Sequence, residues 1–70
     1  MNANKLFDTI IDEARLKNDA ALARAIKVAP PVISKMRHGA LKVGATMILA
    51  LHEIFGMPVA RIRELLKEPA

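Results

Sequence analysis

A chain of 70 residues with no cysteine has room for one small domain and excludes both a disulfide framework and a thiolate metal site. So short a fold depends on a dense apolar core, which a hydrophobic content of 53% can supply, yet no apolar run reaches the roughly 18 residues of a membrane span. The net charge is +4, and no leader pattern opens the chain, so a cytoplasmic protein is expected.

Turn-forming residues divide the sequence into five short pieces, each with helical spacing. The first runs from Asn4 to Lys17, with Asn4 as cap and Leu6, Phe7, Ile10, Ile11 and Ala14 on one face. The second runs from Asp19 to Lys27 behind the N-cap Asn18. Its inner face is Leu22, Ala23 and Ile26, and the small Ala23 lets another helix approach closely. The third starts at Pro31, with Pro30 in the cap position because a residue before proline avoids the α region. It ends at His38, with Gly39 as the stop. Ile33 and Met36 point one way from it; Pro31, Ser34, Lys35 and His38 point the other. The fourth, Ala45 to Phe55 between Gly44 and Gly56, is apolar nearly all round, which predicts a central helix. The fifth runs from Pro58 to Lys67 with the stripe Val59, Ile62, Leu65 and Leu66. No segment alternates as a strand does, so the expected class is all-α, with Leu6, Ile10, Leu22, Ala23, Ile26, Ile33, Leu49 and Leu51 in the core.

Charge is unevenly placed along these pieces. The seven acids are Asp8, Asp12, Glu13, Asp19, Glu53, Glu64 and Glu68, and none falls between Ala20 and His52. That window carries Arg24, Lys27, Lys35, Arg37 and Lys42, hence +5, while the two ends together are −1, six bases against seven acids. A basic centre between near-neutral ends points to a polyanionic partner. In the same window the second and third helices are joined by only about three residues, so they must cross steeply. This is the arrangement of a helix-turn-helix, over about residues 19–38, whose second helix can enter the major groove of DNA.

The stretch Leu22-Ala23-Arg24-Ala25-Ile26-Lys27-Val28-Ala29, followed by Val32-Ile33-Ser34-Lys35-Met36-Arg37-His38-Gly39, resembles the lambda-repressor-like, Cro-type helix-turn-helix family. The resemblance extends loosely over nearly the whole chain and implies a five-helix DNA-binding domain with the motif in helices two and three. By position it implies base reading by Pro31, Ser34 and Lys35, and contacts to bases or phosphates by His38. It places Lys42 in a loop that grips the backbone, and Asn18 at a helix start anchored to phosphate. Arg24, Lys27 and Arg37 add counterion-displacing charge. Three positions depart from the family pattern. Lys27 stands where glycine is frequent, which forces a Cβ toward the left-handed region. Ala29 replaces a capping Ser or Thr. Asp19 replaces a frequent Gln and sets an anion where phosphate would lie.

Each of these residues also has a plainer reading. Pro31 is an ordinary helix starter, Lys35 and Arg37 can be solvated surface charges, and His38 can simply complement a helix C-terminus. His52 is expected to be structural, Glu53 faces away from it, and Met36, Met47 and Met57 are expected as core filler. Ser34 and His38 lack an orienting acid, so catalysis is not expected. The expected function is therefore sequence-specific binding of double-stranded DNA by a small bacterial or phage-type transcriptional regulator, a repressor. It would have no enzymatic activity, cofactor, metal or small-molecule ligand, and would act as a homodimer, formed in solution or only on DNA. The expected dimer contact is Met57, Val59 and Ile62, around the entry to helix five. The alternative is a protein-interaction or antitoxin-like adaptor module of the same fold.

Overall fold

The structure, a computed structural model, describes residues 2–67. Those residues form five α-helices and no strand: α1 (Ala3–Glu13), α2 (Asp19–Ala25), α3 (Pro30–Arg37), α4 (Ala45–Phe55) and α5 (Val59–Leu66). α2 packs most extensively on α3, α1 on α5, and α5 also on α4. One apolar core runs through all five helices. Leu6, Phe7, Ile10, Leu22, Ile33, Leu51 and Ile62 are its largest fully buried members.

The helix ends follow from local chemistry. Asn2, rather than Asn4, caps α1, its side-chain oxygen accepting the Lys5 N–H at 3.2 Å. The same terminus is tied to α5 by the Asn2 N–H donating to the Leu66 carbonyl at 2.8 Å. Asn18 caps α2 as its sequence position predicts, accepting the Ala21 N–H at 3.0 Å. Ala29 caps α3 without any side-chain bond, and Pro30, not Pro31, is the first helical residue. Proline lacks the N–H that would otherwise be orphaned at that position, so an uncapped start costs α3 little.

α1 and α2 both stop earlier than their apolar spacing predicts, by one device. Arg15 and Lys27 adopt left-handed backbone, with φ of 55° and 59°. The next N–H then turns back: Leu16 donates to the Ile11 carbonyl and Val28 to the Ala23 carbonyl, each at 2.9 Å. This is the closing bond of a Schellman motif, and it aims Leu16 and Val28 at the core, where both are partly buried. α3 ends in the same way with Gly39 at φ 78°, where glycine carries no strain. Two of the three turns thus hold a long cation where glycine would be relaxed.

α4 corrects the expectation of a central helix. Only Met47 and Leu51 are buried on it, while Leu49, assigned to the core by sequence, is 53% exposed and Ile54 is 47% exposed. A five-helix chain this small has too few elements to cover both sides of an apolar helix. The core instead recruits Val43, Met57, Ile62 and Leu66 from the segments around it.

Candidate nucleic-acid interface

The outer face of α3 is built by its inner one. Ile33 and Met36 are buried, which turns Pro31, Ser34, Lys35 and His38 outward, and all four are exposed. His38 is the residue that follows α3, its backbone N–H donating to the Ser34 carbonyl at 3.0 Å. Lys35 also anchors the following turn, its carbonyl accepting the N–H groups of Ala40 (2.9 Å) and Leu41 (3.2 Å). The base-reading residues expected from sequence therefore share one exposed face, with Pro31 at its start and His38 at its end.

Arg37 is placed otherwise. Its side chain is 17% exposed and is held by carboxylates from two other helices. Nε and Nη2 donate to the two Asp19 oxygens, both at 2.9 Å, and Nη2 also lies 2.8 Å from Asp8 Oδ1. Nη1 donates to Asn4 Oδ1 at 3.0 Å, Asn4 Nδ2 donates back to the Arg37 carbonyl at 3.3 Å, and the guanidinium lies 5.7 Å from the centre of the Phe7 ring. Burial works against the charge, but the hydrogen bonds to Asp19 and Asp8 outweigh it and keep Arg37 above the usual arginine range. Arg37 is thus not a phosphate ligand, because its donors are committed inside the protein, where they pin the end of α3 to α1 and to the start of α2. The arrangement also accounts for Asp19: its partner is Arg37. Neither pairing has a signature in sequence, since Asp8 and Asp19 are distant from Arg37 along the chain.

Once Arg37 is set aside, the acid-free window leaves Arg24, Lys27, Lys35 and Lys42. All four are exposed, and none has an ion-pair partner among the described residues. Lys27 and Lys42 line one groove of about 530 Å³ whose floor includes Val28, Val32, Met36 and Leu41. The structure therefore brings the turn after α2 and the loop after α3 to the same side. Asn18 is exposed as well, but its side-chain oxygen is taken by the α2 cap, which leaves only its amide nitrogen free to donate.

The expected dimer residues are also redistributed. Met57 is 6% and Ile62 0% exposed, because both fill the gap between α5 and the rest of the core. They are not available to a partner, whereas Val59 stays half-buried at the surface. His52 is structural, its ring Nδ1 lying 2.8 Å from the Met57 carbonyl, where the Nδ1–H tautomer donates and fixes the turn into α5. Beside this turn Arg61 grips Glu13 with both terminal nitrogens, Nη1 donating to Oε1 at 2.7 Å, and this bond holds the Glu13 carboxyl below its usual range. Among the described residues no group of acids and histidines could hold a metal, and no helix is long and apolar enough to cross a membrane. No protein-family model, curated protein or solved structure matches the chain.

Proposed function

We propose that the chain is a sequence-specific double-stranded DNA-binding protein of the lambda-repressor-like helix-turn-helix type, acting as a small repressor. The carrying observation is the sorting of its cations. Arg37 is sealed against carboxylates, while Arg24, Lys27, Lys35 and Lys42 stand exposed without an acid beside them. Exposed, unpaired cations around a projecting helix favour phosphate neutralisation, and the α3 side chains between them favour base contact. α2 crossing closely onto α3 fits the scaffold helix of such a motif. Pro31 offers apolar contact to a thymine methyl, Ser34 and Lys35 offer hydrogen bonds, and Lys27 and Lys42 hold the backbone. Two copies on adjacent half-sites suit the size of the molecule: its longest dimension is 31 Å, close to the roughly 34 Å between equivalent points one duplex turn apart.

Selection of random duplexes on the purified chain tests the reading, followed by titration of the enriched duplex against salt. A half-site consensus with affinity that falls steeply with salt is expected. Arg24→Ala and Lys42→Ala should weaken all duplexes equally and flatten the salt slope by about one unit each. Lys35→Ala should also relax the preferred sequence. Absence of salt-dependent duplex binding defeats the reading and leaves the protein-interaction module.

A further inference from the structure

The groove that Lys27 and Lys42 line is larger and more apolar than phosphate contact requires. α4 packs chiefly on α5, and the groove is the gap left between α4 and the α2–α3 pair. One wall is the turn between α2 and α3, with Val28 and the following Val32, both half-buried. The other wall is α4, where Thr46 and Ala50 lie one turn apart and so share a face. Their short side chains leave the gap open. Leu41, from the segment between α3 and α4, also lines it and is left 42% exposed. Phosphates would engage the lysines and leave this apolar lining wet.

The volume, about 530 Å³, falls in the range of roughly 300–1,000 Å³ common to small-molecule sites. The charged residues that line the groove are Lys27 and Lys42, and no carboxylate does so among the described residues. Neither lysine has an ion-pair partner among those residues, and the exposed Thr46 hydroxyl has no hydrogen-bond partner there. An apolar trough with two unpaired cations and a free hydroxyl complements a molecule with an aliphatic tail and an anionic head. The tail displaces water from the trough, and flexible lysine stems bring the ammonium groups to the head.

We infer that this groove binds one free medium-chain aliphatic carboxylate, its tail along Val28, Val32 and Leu41 and its head at Lys27 and Lys42. The bound carboxylate occupies the two lysines that the proposed function assigns to the DNA backbone, so it is an effector that releases DNA. The site itself does not depend on the DNA reading; only the release rests on it. The expectation of no small-molecule ligand is thereby reversed, because the lining comes from separate segments that only the fold brings together.

Titration of the full chain with decanoate, kept below its micelle concentration at neutral pH and followed by amide chemical shifts, tests the site. Saturable one-to-one binding is expected, with shifts centred on Val28, Val32, Leu41 and Ala50. Each methylene removed, through octanoate to hexanoate, should weaken binding about twofold to fourfold. Octanol should bind about threefold or more weakly than octanoate, and Lys27→Gln with Lys42→Gln should erase that difference. Ala50→Leu and Thr46→Leu fill the groove from outside the core. Each should lower decanoate affinity about tenfold or more without lowering the thermal melt. Ala50→Leu should bind duplex as the wild type does, yet resist release by decanoate. No saturable binding, shifts centred away from the groove, undiminished binding in both filled variants, or binding only to anionic lipid vesicles overturns the inference. Decanoate binding by a chain that binds no duplex upholds the site and defeats the DNA reading. A duplex that stays bound to the decanoate-saturated chain overturns the effector role alone.

Discussion

Two ends of this molecule use the same bond for different purposes. At the α3 end, Arg37 sits under Phe7 and bridges Asp8 and Asp19, joining three helices at a side chain that is mostly covered. At the α5 end, Arg61 grips Glu13 in an equally direct pair, but both side chains are nearly half exposed. A guanidinium that has given up water must keep its acceptors, whereas one in solvent can exchange a carboxylate for water at little cost. The difference teaches that the candidate DNA-reading helix is fixed in orientation by a covered guanidinium between partly exposed carboxylates, and that the α1–α5 seam relies on apolar packing of Ile62 and Leu66.

The sharpest way to break the comparison is Arg37→Ala. It should cost about 2 kcal/mol of unfolding free energy, because the paired hydrogen bonds to Asp19, the Asp8 contact and the packing of the side chain over Phe7 are lost together. Arg37→Lys should recover only part of this, since an ammonium lacks the two-pronged geometry. Urea denaturation measures both. The paired variant Arg61→Ala should move the midpoint far less, and equal losses at the two sites would refute the contrast drawn here.

A smaller effect of opposite sign is expected at the two left-handed turns. Arg15→Gly and Lys27→Gly should each stabilise the fold by about 0.5–1 kcal/mol, as relief of strain exceeds the added freedom of the unfolded chain. Arg15→Gly should leave duplex affinity nearly unchanged. Lys27→Gly should lower it and flatten the salt slope by about one unit, separating stability from binding at one residue.

The smallest effect is the acid dependence of the exposed pair. The Glu13 carboxyl has a lower pKa folded than unfolded, because Arg61 bonds its ionised form. Its contribution is therefore complete above the unfolded value and is lost as pH falls through the folded one. Glu13→Gln should lower thermal stability slightly near neutrality, where the pair contributes in full, and change nothing in acid, where the carboxyl is protonated and the contribution is already lost. Melting curves at descending pH check this, and a large loss at neutral pH would show that the pair matters more than its exposure implies.

The number of helices, their class and the outward face of α3 were legible in the sequence because each depends on local spacing. Ile33 and Met36 alone orient Pro31, Ser34, Lys35 and His38. Gly44 and Gly56 bracket α4 as read, and Lys27 takes the left-handed turn that its position required. The early ends of α1 and α2 were not legible, because they are set by where Leu16 and Val28 must point, and that depends on a core assembled from other helices. The role of Arg37 was hidden for the same reason, as its partners come from α1 and the start of α2.

The sequence by itself determined an all-helical chain with a basic, acid-free centre, since periodicity and charge are properties of neighbours along the backbone. Only the tertiary structure decided which apolar and which charged residues the fold keeps for itself. Met57 and Ile62 went inward and Leu49 outward, because five short helices enclose one core and can cover only one side of α4. Arg37 went inward and Lys35 stayed out, because the Asp8 and Asp19 carboxylates meet only where α1, α2 and α3 converge.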